Sequence, residues 1–476
     1  MNSATVGGAD AAGGAGATGG GAAGPTGGGE LGAWLHEAAL RMDEACIRCG
    51  RCVEVCPVTP YSAVKDADPV ATVTSVLDAL VRDAPLEEGA EGWIRSCNSC
   101  GVCIDECPEK VNPRRMLTLS TTRLASQGTK TPELFKRMSR SIKLMLAMQV
   151  VPEEFRRLFV PEPRRSAPYV FYGGCNPLKT PHLLFNTMTV LDAIGIDYAF
   201  AGGPSACCGV IAANWEGQVD QGGRVAQSVM RRFDRFEPQR VLNWCPTCEI
   251  HLGEMLDGFT EHSFQFDHVT NLLVERLDAG ELRFTYPVPR RVVLHGHVAG
   301  GAQVTGNVAR LLRAIPELDV VDTLWEQAYT CGASGCSKTP ELAQREHGEQ
   351  VAAAESLGVD AFVTLYHGCH QTFLAAAKGR GFDVVNFTDL LVEGLGETPH
   401  VDANKGLRAI DDWALVAEVA GPWLQANGVD IDPAFLRQNA AEIFASAEFR
   451  GGLECLGGAP KFGSIKRTGQ GAGIVP

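Results

Sequence analysis

The 476-residue chain is 45% hydrophobic and 21% charged, the balance of an ordinary soluble globular protein of about two to four domains. Its formal net charge of −14 argues against nucleic acid as a main partner. No run of about 18 apolar residues is present, so no transmembrane helix is expected.

Residues 1–33 are rich in glycine and alanine, cannot bury a core, and predict a disordered tail. They lack the charged start and apolar run of a secretory signal, and their glycine clusters follow no strand, so they are not a dinucleotide fingerprint. Seventeen cysteines in a chain expected in the reducing cytoplasm predict metal binding rather than disulfides.

Residues 34–130 carry two cysteine runs, "CIRCGRCVEVCP" at 46–57 and "CNSCGVCIDECP" at 97–108. Each reads C-x2-C-x2-C-x3-C-P, a spacing that lets three thiolates wrap three corners of an iron–sulfur cubane while the fourth serves the other cluster. The expected sets are Cys46, Cys49, Cys52 and Cys107 for one [4Fe-4S] cluster, and Cys97, Cys100, Cys103 and Cys56 for the second. Two zinc knuckles are the alternative, which the complete runs and trailing prolines disfavour. The segment "DPVATVTSVLDALVRD" between the runs has a helical period. This layout resembles the α-helical ferredoxin module of respiratory iron–sulfur subunits. Residues 131–165 are expected as a helical linker. Its basic amphipathic stretch "ELFKRMSRSIKLMLAMQ" suits either a packing face or a membrane surface.

From 166 onward, apolar runs such as "YVFYGGC" and "RVLNWC" read as buried strands alternating with helices near 180–194 and 216–234. That alternation predicts an α/β fold with a parallel sheet, with cysteines at the strand ends where such folds place their sites. The cysteines are Cys175, Cys207, Cys208, Cys245 and Cys248, in the pattern C-x31-C-C-x36-C-x2-C. This pattern, with Gly209 after the pair, resembles the cysteine-rich CCG domain of the heterodisulfide reductase family. The resemblance spans about residues 34–400, with a ferredoxin-type small subunit fused to a CCG catalytic subunit. It implies that the five cysteines hold one noncubane [4Fe-4S] cluster and are catalytic. Asn176, Val210, Trp215 and Trp244 are candidates to line a substrate pocket, with core packing as the equal alternative.

The family carries the CCG unit twice, and residues 166–290 are followed by a weaker copy at 291–405. "RRVVLHGHVAGG" parallels "APYVFYGGCNPL", and "AFVTLYHGCHQTF" parallels "RVLNWCPTCEIHL". In register the copy has Val298, Thr330 and Tyr366 in place of three cysteines and keeps Cys331 and Cys369. Cys331, Cys336 and Cys369 are candidate metal ligands, with His295, His297, His367 and His370 in the same loops. Three readings stand: a structural half-domain, a different iron–sulfur cluster, and a mixed Cys/His zinc site. Residues 406–476 are expected as a helical extension and tail, and Cys455 as a bystander.

Two cubanes and a noncubane cluster in one chain imply an electron relay, and no flavin or nicotinamide fingerprint appears in the α/β part. The resemblance implies thiol/disulfide or related sulfur chemistry on a small molecule or protein-bound sulfur. It also implies an electron partner, either a flavoprotein or a membrane quinone or cytochrome subunit that would hold the chain at the membrane periphery. The alternative is a non-catalytic electron-transfer subunit of a flavin-linked dehydrogenase of the glycolate, lactate or glycerol-3-phosphate type.

Overall fold

A computed structural model describes residues 29–128, 134–297, 301–324, 338–410, 412–437 and 466–467. The first hundred described residues form helices and turns without a strand. Helix Pro69–Arg82 starts where Asp68 accepts a 2.7 Å bond from the Ala71 amide and Pro69 occupies the first position. Its Val73, Val76, Leu77 and Leu80 recur at helical spacing and are buried. Helix Pro113–Gln127 is capped in the same way by Asn112. The opening helix, Gly29–Ala45, begins inside the stretch expected as a tail, because Leu31 and Leu35 find a surface to bury against. Leu31 lies where helix Val219–Asp234 offers the side-chain-free Gly223.

Within the expected helical linker, 131–165, the described residues supply two helices that pack into the core. Helix Leu134–Ala147 buries Leu144, Met145, Leu146 and Ala147 completely, and Pro152–Phe159 follows it. The apolar side of the basic stretch is thus occupied by the protein itself. The Asn427 amide ties this segment to the C-terminal helix Trp413–Ala426, donating to the carbonyls of Ala147 (2.9 Å) and Val150 (2.7 Å). Among the described residues no helix is long and apolar enough to cross a membrane.

Two four-stranded parallel sheets form the α/β part, beside a short antiparallel pair of Val429–Asp430 with Lys466–Arg467. The first contains β1 (Tyr169–Gly174), β2 (Tyr198–Gly202), β3 (Arg240–Asn243) and β4 (Gln265–His268), in the order β2-β1-β3-β4. The second contains β5 (Arg290–His295), β6 (Leu318–Leu324), β7 (Ala361–Thr364) and β8 (Asp383–Asn386), and repeats that order as β6-β5-β7-β8. All strand pairs within these two sheets are parallel. Side chains alternate across a strand, so both faces of the first sheet must be covered. Val170, Tyr172, Ala199 and Val241 face the N-terminal helices, whereas Phe171, Phe200 and Leu242 share the core of the second sheet. In each sheet the chain leaves its first strand to opposite sides. The crevice at the carboxyl ends of β1 and β3, or of β5 and β7, is therefore the place where such a fold holds a ligand.

Several histidines are sealed in this interior. Burial pulls His182 down to about 3, and His251 and His268 to about 4. They are neutral when folded but titrate near 6.5 in the unfolded chain. A depressed folded pKa gives stability that is full above pH 6.5 and declines as pH falls toward 4. Each histidine contributes at most about 1.4 kcal/mol per pH unit. The urea midpoint should therefore fall steeply between pH 7 and pH 5, and a flat profile would mean these rings are hydrated or already charged.

Candidate metal centres

Each ferredoxin-type run is a tight turn followed by a one-turn helix, Arg51–Glu54 or Val102–Asp105. The turns bring non-adjacent sulfurs together. Cys46, Cys49, Cys52 and Cys107 line one pocket with Val73, Pro108 and Met116. Burial, and then the negative sulfurs of Cys46, Cys49 and Cys107, push Cys52 up to about 12. In the second group, burial raises Cys100 to about 12, with Cys56 and Cys97 adding to it. Cys103 is driven further up by burial and then by Cys97, Cys100 and Cys56. Cys49 is exposed, while Cys52 and Cys103 are buried.

The five cysteines of the first α/β unit converge at its crevice and are all buried. Cys175 follows β1, Cys245 and Cys248 follow β3, and the pair Cys207 and Cys208 follows β2. Cys175 with Cys207, Cys207 with Cys208, Cys208 with Cys248, and Cys248 with Cys245 are hydrogen-bonding neighbours. Bonds donated by Cys207 and Cys248 pull Cys208 down to about 6, and a bond from Cys248 lowers Cys245. Bonds donated to Cys207, then burial, push Cys175 well up; bonds to Cys208 and Cys245, then burial, do the same for Cys248. Five buried thiolates this close repel one another unless a cation shares them, so the donor set fits a cationic iron–sulfur core. Gly174 leaves room for the group: a Cβ there would stand 3.0 Å from the Cys245 Cβ and 3.3 Å from the Cys248 sulfur.

Four further groups around these sites carried no motif. The Tyr172 hydroxyl donates to the Ala206 carbonyl at 2.9 Å and stands 3.4 Å from the Cys248 sulfur. Lys179 is buried beside Cys175, and burial lowers it to about 8. Arg114 joins the two modules: its Nη1 donates to the Ser99 carbonyl at 3.1 Å, between Cys97 and Cys100, and its Nε donates to Glu254 at 3.0 Å. Lys338 also reaches the Cys97 carbonyl, at 2.8 Å. Of the residues expected to line a pocket, Trp244 belongs to the core, stacked 5.6 Å from Phe387. Trp215 lies under the Lys338 ammonium, 5.4 Å away, and Asn176 and Val210 are half-buried.

In the second unit His295 ends β5 and His297 follows it, and Cys369 lies in the first turn of helix His367–Ala376 after β7. His297 Nε2 is 3.3 Å from the Cys369 sulfur. His370 is not part of this group. It turns away to Asp402 at 2.7 Å, which also faces His182 of the first unit at 3.5 Å. Burial lowers His367 to about 4. Val298, Thr330, Cys331, Cys336 and Cys455 lie outside the described residues.

Residues 42–111 match the model of a 4Fe-4S dicluster domain, and residues 169–253 that of the CCG cysteine-rich domain. An uncharacterized iron–sulfur protein of Methanocaldococcus jannaschii is 23% identical over 73% of this chain and 72% of its own length. A subunit of the dihydromethanophenazine:CoB–CoM heterodisulfide reductase of Methanosarcina barkeri is 23% identical over 74% of this chain and 94% of its own. A subunit of the CoM/CoB fumarate reductase of Methanothermobacter marburgensis is 22% identical over 73% and 70%. A solved structure of a hypothetical Helicobacter pylori protein aligns with a TM-score of 0.36 at 10% identity over 61% of this chain and 60% of that one, too loosely to argue from. A dicluster ferredoxin module joined to a cysteine-rich α/β unit defines an iron–sulfur oxidoreductase subunit. Across both modules the chain is similar to heterodisulfide reductase subunits.

Proposed function

We propose that the chain relays electrons between a partner and a catalytic five-cysteine site that works on disulfide or related sulfur substrates. In this reading Cys46, Cys49, Cys52 and Cys107 hold an outer cubane, and Cys97, Cys100, Cys103 and Cys56 an inner one. Cys175, Cys207, Cys208, Cys245 and Cys248 hold a noncubane [4Fe-4S] cluster. When bound, the clusters supply one-electron steps, two of which, with two protons, convert a disulfide into two thiols. The convergence of five buried sulfurs within hydrogen-bonding reach carries the reading. The order of the relay follows burial. Cys49 is exposed on the outer set, and the Arg114 clamp fastens the inner set to the helical stretch Glu249–Met255 that follows Cys248. Lys179 places a positive charge beside Cys175, where it offsets thiolate charge. The electron partner is a flavoprotein or a membrane quinone or cytochrome subunit, with this chain at the membrane periphery through it.

The test is electron paramagnetic resonance on the full chain after anaerobic iron–sulfur reconstitution. About twelve irons per chain and a thiol-dependent paramagnetic state in the oxidised protein are expected. Failure of added thiol to generate that state would remove the catalytic role. A second reading draws on Tyr366, which fills with a buried ring the place corresponding to Cys245. Without a matching cysteine site, two noncubane clusters cannot share one disulfide, and the chain would serve as the electron-transfer subunit of a flavin-linked dehydrogenase. The thiol experiment separates the two readings.

A further inference from the structure

The second crevice contains a differently built set of donors at the topological position that the five cysteines occupy in the first. Aligning β5 on β1 and β7 on β3 puts His295 at the place of Tyr172, His297 at that of Gly174, and Cys369 at that of Cys248. A soft sulfur is kept, and two imidazoles replace a phenol and a glycine. One ring nitrogen from each histidine and the Cys369 sulfur all lie within 4.8 Å of one another. His295 and Cys369 are buried, and His297 sits half-buried at the rim.

The hydrogen bonding of His295 is that of a metal ligand. Its Nδ1 lies 2.7 Å from the Gln350 side-chain carbonyl, which can only accept, so the ring proton is on Nδ1. That leaves Nε2 as a lone pair, buried and without a hydrogen-bond partner among the described residues. An unmet acceptor in a core is destabilising, and a cation at that lone pair removes the cost. Fixing one imidazole nitrogen with an oxygen acceptor so that the other points at a metal is the usual support of a histidine ligand. Phe362 and Phe373 flank the ring, with centroids 6.1 and 4.9 Å away, and hold its orientation.

We propose that His295, His297 and Cys369 are the ligands that the described residues supply to a mononuclear site for a zinc-class divalent ion. Two nitrogens and one thiolate suit Zn²⁺, whereas the hard cations Mg²⁺ and Ca²⁺ require oxygen donors. The site stands independently of the iron–sulfur chemistry proposed for the first unit.

The experiment uses the full chain with its iron sites reconstituted anaerobically, and measures zinc and iron separately by elemental analysis. About one zinc per chain should be retained in addition to the iron. Co²⁺ in its place should show tetrahedral ligand-field bands with thiolate-to-metal charge transfer. His297→Ala and Cys369→Ser should lose the ion with iron content unchanged, and Gln350→Leu should weaken binding by about 10- to 100-fold. Should Cys369→Ser fail to fold, the half-buried His297→Ala decides. The proposal is overturned if the parent chain binds neither Zn²⁺ nor Co²⁺, if both ligand variants keep the ion, or if additional iron and sulfide occupy these residues instead. Loss of the thiol-dependent signal at the first crevice would leave the zinc result untouched.

Discussion

Replacing Gly209 with alanine is expected to strip the iron from the five-cysteine site while both ferredoxin-type sites stay loaded, so that total iron falls from about twelve to about eight per chain. The reason is geometric. Gly209 sits at φ +92°, a left-handed conformation that costs an alanine about 1–2 kcal/mol. A Cβ there would also stand 2.5 Å from the Gly222 carbonyl, a backbone atom of helix Val219–Asp234 that cannot rotate aside. The strain must be relieved by moving the segment that carries Cys207 and Cys208, whose geometry includes the 3.4 Å approach of the Gly209 amide to the Cys207 sulfur. The combined cost is about 2–4 kcal/mol, concentrated where the two cysteines must be held. Gly358→Ala is the control. That glycine is also left-handed, at φ +59°, but nothing lies within 4 Å of its added Cβ, so it should lose a little stability and no iron. Full iron content and an unchanged five-cysteine signal in Gly209→Ala would sink this account.

The groups legible in the sequence are those whose chemistry is local. In each ferredoxin-type run three cysteines fall within seven residues, and the turn that gathers them is written in the spacing itself. The parallel sheets were legible for a similar reason: apolar runs end in cysteine or histidine at the carboxyl ends of strands, and the helices between them keep a 3.6-residue period. The start of the first helix was not, because glycine and alanine around residue 29 carry no periodic signal. The helix Val219–Asp234, nearly two hundred residues later, supplies a surface on which Leu31 packs.

Other features depend on partners that no local pattern announces. Tyr172 meets Cys248 across 76 residues, His295 meets Gln350 across 55, and Lys338 meets Cys97 across 241. His370 shows the limit within a single helix. It adjoins Cys369 in sequence, but consecutive helical residues point about 100° apart, so one reaches the histidine pair and the other reaches Asp402. Lys179 reads as an ordinary surface lysine until the fold seals it beside Cys175.

Arg114→Met should lower stability by about 3 kcal/mol and make the inner ferredoxin-type site harder to reduce. Burial works against the Arg114 charge, but the Glu254 carboxylate, aided by the sulfurs of Cys103 and Cys97, more than offsets it and holds the guanidinium above its ordinary range. The side chain is only 9% exposed and Glu254 24%, so removing the arginine strands a carboxylate with little water around it. Breaking such a pair by deleting one partner costs about 3–5 kcal/mol, and the partial exposure of Glu254 points to the lower end. The variant also frees the Ser99 carbonyl, and Ser99 itself is held at φ +64°, a conformation that a serine does not adopt without support. Reduction adds negative charge to the site, so loss of the adjacent cation lowers its potential. The double variant Arg114→Met with Glu254→Gln should recover part of the stability, since no unpaired charge remains, but none of the potential. Equilibrium denaturation and a redox titration followed by paramagnetic resonance read the two effects separately. A potential unchanged in Arg114→Met would show that the guanidinium fastens the modules together without tuning the cysteine site it spans.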